Sequence, residues 1–383
     1  MEIPPLVKPG SALTIAELRR YSRHLALPDI SKIGQERLKN SKVLCVGAGG
    51  LGSPVLMYLA AAGVGTLGVV DFDVVDETNL QRQIIHGQSD IGMNKAESAR
   101  TSVLNINSFI EVIVHDLELN RENALEIFEH YDVIIDGTDN FATRYLINDA
   151  AVLLGKPYIW GSIYRFDGQA TVFWADHGPC YRCFHPQPAS DTANCAEAGV
   201  LGVLCASIGA IQATEAIKII TGIGTPLIGS VVIYNALAMS FDKVDIKKDP
   251  ECTLCGDQPQ QLGLLDDYDA FCASASPDEI SVFELKDFIE SDKDFLLVDV
   301  REQFEFDIVC IPGSTLLPLG QFLDGSALSE LPDDKEIILY CKVGIRSARA
   351  LEILKLAGYS KARHVTGGVM AWVENIEPNL GVY

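Results

Sequence analysis

The stretch "VLCVGAGGLGSPVLMYLAAAG", Val43 to Gly63, opens on an apolar run, passes four glycines in six residues and closes on small and apolar residues. The opening reads as a buried strand and the close as a helix, with the glycines at the turn between them. Gly47, Gly49 and Gly52 match G-x-G-x-x-G in the strand–turn–helix setting that binds nucleotides. Glycine lets the backbone approach a phosphate, and a helix N-terminus offers free N–H groups and a favourable dipole. Asp71, at the end of the next apolar run, stands where a carboxylate accepts hydrogen bonds from a ribose hydroxyl. The plainer alternative is a glycine-rich turn without a ligand. The motif alone does not separate a nicotinamide dinucleotide from ATP, so a dehydrogenase stands as an alternative.

Outward from that stretch, residues 41 to 160 alternate apolar runs with amphipathic segments. The runs are "SKVLCVG", "TLGVVDFD", "FIEVIVHD", "YDVIIDGTDN" and "KPYIWGS". Such alternation predicts a mostly parallel sheet with helices on both faces, an α/β Rossmann-like domain. The polar, acidic segment 257–277 lacks periodicity and reads as a linker. Beyond it, "FLLVDV", "STLLPL", "EIILYC" and "ARHVTG" form a second, smaller α/β pattern. The expected domains are therefore 1–256 and 278–383.

The chain has 383 residues and a formal charge of -22, which argues against nucleic acid because phosphates would be repelled. The N-terminus "MEIPPLVKPG" lacks the basic and apolar regions of a signal peptide. The apolar stretch "GVLGVLCASIGAIQATEAIKII" is interrupted by Gln212, Glu215 and Lys218, which favours a buried helix over a membrane span. A cytoplasmic location is expected, where ten cysteines stay reduced and serve as metal ligands or reactive thiols.

Charged residues beyond the glycine loop favour ATP. Arg82 and Lys95 lie downstream of Asp71, and Asp139 and Asn140 come after another apolar run. A triphosphate with magnesium needs extra cations and a carboxylate, whereas a pyrophosphate is held mostly by backbone. Taken singly, each charge also fits a solvated surface position.

Together, "RRYSRHLALPDI", "VGAGGLGSPV", "VDFDVVDETNLQRQ", "GTDNFATRYLIND" and "PCYRCF" resemble the ubiquitin-activating-enzyme-like adenylyltransferases of the MoeB type, from about Leu18 to Cys255. The resemblance implies adenylation of the C-terminal glycine of a ubiquitin-like sulfur-carrier protein ending in Gly-Gly. It places Gly50 and its loop at the phosphates, Asp71 at the ribose, Asn79 and Arg82 on the nucleotide, Lys95 on the phosphates and Asp139 on magnesium, with Asn140 beside it. Arg23 matches an arginine that reaches into the partner subunit's site, which implies a homodimer. The carrier's pathway stays open among molybdenum-cofactor, thiamine and cysteine synthesis and tRNA thiolation.

Two C-x-x-C pairs, Cys180/Cys183 and Cys252/Cys255, have the spacing of a closed tetrahedral zinc site. Cys45 and Cys205 read as core residues, and Cys272 has no evident role. Cys195 lies in a polar loop ahead of a helix, where free N–H groups lower a thiol's pKa. In related enzymes a cysteine there forms a thioester with the carrier or helps release product; an unreactive exposed thiol is the alternative.

Residues 278 to 383 resemble a single-domain rhodanese through "VDVREQFEF", "IPGS", "CKVGIR" and "VTGGVMAW". In such a domain the loop from Cys341 to Arg346 wraps N–H groups around the sulfur while Arg346 adds charge, stabilising a thiolate and then a persulfide. Cys310 stands where that family often carries histidine. The combined expectation is an adenylyltransferase–sulfurtransferase using ATP, Mg2+ and Zn2+, its sulfur supplied by a cysteine desulfurase or thiosulfate. The alternatives are an activating enzyme that passes the carrier on through a thioester at Cys195, and a non-enzymatic scaffold.

Overall fold

The computed structural model describes residues 3–188, 199–273, 278–291, 293–332, 335–378 and 380. They fall into two compact units, one within Met1–Gln187 and Asn194–Tyr268, the other within Pro188–Ala193 and Asp269–Tyr383.

The first unit is built on an eight-stranded sheet of order β3-β2-β1-β4-β5-β6-β7-β8. Its strands are β1 Lys42–Val46, β2 Thr66–Val70, β3 Glu111–His115, β4 Val133–Asp136, β5 Tyr158–Tyr164, β6 Asp167–Phe173, β7 Ser230–Asn235 and β8 Ser240–Asp245. The first five run parallel, as the alternating apolar runs predict. Chain order reverses between β1 and β4, the switch point outside whose strand ends ligands bind in such sheets. In the register there, Val46 pairs with both Val70 and Asp136, so Gly47, Asp71 and Gly137 emerge at one edge.

The sheet continues antiparallel through β6, β7 and β8. Sequence patterning gives no warning of this because neither hairpin turn carries the usual glycine or asparagine. Tyr164 pairs with Asp167 across a two-residue turn in which Arg165 takes φ 53°, and Met239 before β8 takes φ 52°. Non-glycine residues adopt that backbone region rarely.

Helix Gly202–Thr221 is the long apolar stretch. It is long and apolar enough to cross a membrane by composition, yet it packs into the core with Leu204, Cys205, Ile208, Ala213, Ala216, Ile219 and Ile220 buried. Helix Gly52–Ala62 buries most of its length beside it and ends at Gly63, φ 84°.

The second unit holds a five-stranded parallel sheet of order β11-β10-β12-β13-β9. The strands are β9 Glu279–Ile280, β10 Phe295–Asp299, β11 Thr315–Leu316, β12 Glu336–Tyr340 and β13 Arg363–Val365. The run "STLLPL" yields only the two-residue β11, and helix Leu319–Leu323 begins directly after Pro318.

Part of the segment expected as a linker is docked on the first unit. Gln261 Nε2 and the Tyr268 hydroxyl donate to Asp149 Oδ2 at 2.7 and 2.9 Å, and Arg182 forks onto the same buried carboxylate at 2.8 Å through each nitrogen.

Candidate functional site

The turn after β1 is shaped by backbone crowding. Gly47 has φ 92°, and a Cβ there would meet the Gly137 carbonyl oxygen at 2.9 Å. A Cβ on Gly52 would come within 2.0 Å of the Gly47 oxygen, so only glycine lets the helix start this close to the strand. A Cβ on Gly49 would meet only the Gln83 amide, at 3.5 Å. The N–H groups of Gly49 and Gly50 have no protein acceptor among the described residues. Two free donors on a glycine turn at a helix N-terminus form a cradle suited to phosphate oxygens.

Around that cradle the structure gathers several of the residues expected from sequence. Asp71 Oδ2 accepts the Ala48 N–H at 2.8 Å and Oδ1 accepts the Asp73 N–H at 3.0 Å, leaving lone pairs on each oxygen. Burial pushes its carboxyl above the ordinary range, against the Ala48 hydrogen bond and the Lys95 charge. Lys95, buried at the start of helix Lys95–Ile106, pairs with Asp73 at 2.7 Å, with further ammonium protons to donate. Arg82 lays its Cγ 3.8 Å from a Cβ position on Gly50 and donates to the Thr78 carbonyl at 3.2 Å. Asn79 ends a short turn, its Oδ1 accepting the Asp76 N–H at 3.2 Å.

At the end of β4 and just beyond it two aspartates, Asp136 and Asp139, divide. Asp136 is wholly buried and spoken for, accepting from Thr138 N–H and hydroxyl at 2.8 and 2.6 Å and from the Tyr158 hydroxyl at 2.7 Å. Asp139 is exposed, and among the described residues its carboxylate has no partner. Asn140 caps helix Phe141–Leu153 by accepting the Thr143 N–H at 2.8 Å. Gln83 is a residue that sequence reasoning missed. It lies buried against the loop with its Oε1 unpartnered, and only its place beside Arg82 could have flagged it.

Arg23 is not brought to this loop. The Tyr21 ring lies against Gly63, at the opposite end of helix Gly52–Ala62 from the glycine turn. Eleven residues span about 16 Å. Arg23 is exposed on the adjoining helix Ser22–Leu25.

Cys180, Cys183, Cys252 and Cys255 converge so that all four sulfurs lie within 4.8 Å of one another. The separations are 3.9 Å for Cys180–Cys183, 3.7 Å for Cys180–Cys252 and 3.4 Å for Cys183–Cys255. Four thiolates at about 2.3 Å from a tetrahedral zinc stand about 3.8 Å apart, so the set fits that ion. Hydrogen bonds from Cys180 hold the Cys183 and Cys252 thiols below the ordinary range. Among the described residues the cluster offers four sulfur donors, the donor set of a structural zinc site.

In the second unit Cys341 comes directly after β12 and is buried. Its Sγ accepts the Gly344 N–H at 3.1 Å, and Ser347 Oγ lies 3.6 Å away. Gly344, φ 108°, turns the chain into helix Ile345–Leu356, which aims its N-terminus at the sulfur. Arg346 directs both terminal nitrogens to Glu305, at 2.6 and 2.7 Å. Ser347 and Glu305 carry no signal in the sequence; each is polar and buried, a property that sequence does not display. Cys310 is half-buried beside Asp299 and Arg301, and burial raises its pKa. Cys195 lies outside the described residues.

A phosphate cradle at the switch point of one unit and, in the other, a buried thiol that accepts the Gly344 N–H at a helix start define a nucleotide-using enzyme with a sulfur-handling module. Comparison agrees. The ThiF family model matches residues 21–254 and the rhodanese-like domain model matches 281–375. The chain belongs to the ThiF family, carries a rhodanese-like domain and is an enzyme of the adenylyltransferase and sulfurtransferase type. A Mycobacterium tuberculosis protein named probable adenylyltransferase/sulfurtransferase MoeZ is 51% identical over 395 residues, covering 100% of this chain and 99% of that one. The adenylyltransferase and sulfurtransferase MOCS3 of Drosophila ananassae is 41% identical over 388 residues, covering 96% and 86%. That of Mus musculus is 38% identical over 416 residues, covering 99% and 90%. Among solved structures, E. coli MccB with MccA-N7isoASN aligns at TM-score 0.56 and 25% identity, over 62% of this chain and 74% of that one.

Proposed function

We propose that this enzyme activates the C-terminal glycine of a ubiquitin-like sulfur-carrier protein with ATP and converts it to a thiocarboxylate. The observation that carries the proposal is the coexistence, in one chain, of the glycine cradle beside Asp71 and the sulfur-stabilising loop around Cys341. A carboxylate resists nucleophiles. Attack by the carrier's terminal carboxylate on the α-phosphorus of ATP expels pyrophosphate and leaves an acyl adenylate, with no protein nucleophile required. Gly49 and Gly50 N–H groups, Arg82 and Lys95 hold the phosphates, Asp71 the ribose, and Asn79 and Asn140 border the nucleotide. This is catalysis by positioned charge. Asp139 is the ligand for the magnesium that neutralises charge on the phosphates. Arg23, remote from its own loop, serves the partner's site in a homodimer. The four-cysteine cluster holds structural zinc.

Cys341 takes sulfur as a persulfide from a cysteine desulfurase or thiosulfate. Its terminal sulfur attacks the acyl carbon and AMP leaves, which joins carrier and enzyme through an acyl disulfide. A thiol, for which Cys195 is the candidate, then cleaves that bond and frees the thiocarboxylate. Carrying both reactions on one chain raises the effective concentration of persulfide at the activated carrier. The cytoplasm keeps the thiols reduced.

Incubation with ATP, a persulfide donor and purified carriers, followed by intact-mass measurement, tests the proposal. A carrier that exchanges one oxygen for sulfur supports it. A stable carrier–enzyme thioester as end product indicates an activating enzyme instead, and an unchanged carrier in every pairing removes the proposal. The carrier that responds also identifies the pathway served.

A further inference from the structure

Ala48, between the first two glycines of the loop, is gripped from both sides. Asp71 takes its N–H, and His86 Nε2 lies 2.9 Å from its carbonyl oxygen. A carbonyl only accepts, so Nε2 carries the proton. On the other side of the ring, Nδ1 faces Ser98 Oγ at 2.8 Å. Ser98 Oγ donates to Asp90 Oδ2 at 2.9 Å, and the same carboxylate oxygen accepts the Gly87 N–H at 2.8 Å. His86 is 6% exposed. Burial is the chief reason its pKa falls below the ordinary histidine range, with Lys95 acting the same way and the Ala48 hydrogen bond and Asp90 opposing. The neutral ring holds one proton, and the Ala48 carbonyl, which can only accept, places it on Nε2, the tautomer that reaches Ala48.

The Ala48 carbonyl shares a rigid trans peptide with the Gly49 N–H, and the two point in opposite directions. Whatever holds the carbonyl therefore aims the N–H. That N–H is one of the two loop donors left without a protein acceptor among the described residues. We propose that His86 is a positioning residue of the adenylation site, setting the plane of the 48–49 peptide and so the direction in which Gly49 N–H meets a nucleotide phosphate. The inference rests on the adenylation reading above. It assigns His86 no contact with substrate.

Two variants of similar polarity separate this role from packing. In His86→Gln the amide nitrogen reaches about where Nε2 stands; in His86→Asn it reaches only about as far as Nδ1. With a carrier present, ATP–pyrophosphate exchange should show His86→Asn raising the KM for ATP about tenfold, the worth of one hydrogen bond. Its kcat should be unchanged, because substrate and transition state lose the same phosphate contact. His86→Gln should stay within about twofold of wild type. Thermal unfolding verifies that each variant is folded. A wild-type KM in folded His86→Asn, or equal KM increases in both histidine variants, overturns the proposal. Should His86→Asn fail to fold, His86→Met, of similar length and without a donor, takes its place: a raised KM for ATP beside a near-wild-type His86→Gln supports the proposal, and a wild-type KM in His86→Met overturns it. Absence of exchange in the wild-type protein with every carrier would instead remove the adenylation reading, and this inference with it.

Discussion

Arg346 and Glu305 form a two-pronged ion pair, nitrogen to oxygen at 2.6 and 2.7 Å, beside the Cys341 loop. The pair ties the first turn of helix Ile345–Leu356 to helix Gln303–Ile308. The Glu305 side chain is 7% exposed and that of Arg346 33%. The arginine that the rhodanese resemblance assigns to stabilising the sulfur thus shares its charge with a carboxylate, and the direct stabilisation of Sγ comes from the Gly344 N–H.

Glu305→Gln should therefore increase the pull on an anionic sulfur donor. Glutamine keeps an acceptor for Arg346 and removes one negative charge. The expected result is a KM for thiosulfate about threefold lower than wild type, a size typical of a partly screened unit charge. Arg346→Ala should raise the same KM and take the guanidinium away from the Glu305 carboxylate. Thiosulfate–cyanide sulfurtransfer measures both, and a raised KM in Glu305→Gln would show that the pair acts through loop geometry and not through charge.

Asp136, which ends β4, and Asp139, which follows it, should fail in different ways. Asp139→Ala should reduce ATP–pyrophosphate exchange by more than about a hundredfold, the scale of losing a metal ligand at a phosphoryl site, while the fold is kept. Asp136→Ala should instead destabilise the first unit by about 2–3 kcal/mol, since it strands the buried Tyr158 hydroxyl and the Thr138 donors. Denaturant unfolding and exchange kinetics on both variants separate the roles. Normal exchange in Asp139→Ala would take that residue out of the site.

For the cysteine cluster, metal analysis should return about one zinc per chain, and a strong chelator should lower the unfolding midpoint by about 10 °C or more. Binding energy at a closed site is folding energy, and a few kcal/mol moves the midpoint of a unit this size by that amount. Cys252→Ser should reproduce the chelated behaviour. A folded, active protein purified free of metal would end the assignment.

Legibility in the sequence divides along physical lines. The parallel half of the first sheet was legible because apolar runs and glycine spacing are local signals: Gly47, Gly52 and Asp71 each sit where a strand must end or a helix must approach. The two C-x-x-C pairs were legible as a set, and the sulfurs do converge. The antiparallel half was not, because Arg165 and Met239 take left-handed conformations that their side chains do not advertise. Nor was the docking of Gln261 and Tyr268, since a polar, aperiodic segment looks the same whether its polar groups meet water or a buried Asp149. Glu305, Gln83 and His86 were missed for a related reason. Their significance lies in a partner distant in sequence, and no spacing rule announces it.

The division of labour between Cys341 and Cys195 is the most demanding prediction. Cys341→Ala removes the sulfur that becomes a persulfide, so thiocarboxylate formation should vanish while carrier adenylation stays at the wild-type rate. With Cys341 intact, the persulfide's attack on the acyl adenylate releases AMP and leaves carrier and enzyme joined by an acyl disulfide. A thiolate attacking the enzyme's sulfur expels the thiocarboxylate and leaves a disulfide with Cys341, which a cellular thiol must reduce before the next cycle. If Cys195 supplies that thiolate, Cys195→Ala should accumulate the carrier–enzyme disulfide, visible by intact mass, and dithiothreitol should release the thiocarboxylate. If Cys195 instead takes the acyl group first as a thioester, Cys195→Ala should slow transfer with no disulfide accumulating, and dithiothreitol should not help. Transfer at the wild-type rate by Cys195→Ala without added reductant excludes both roles, since neither route proceeds without its thiol.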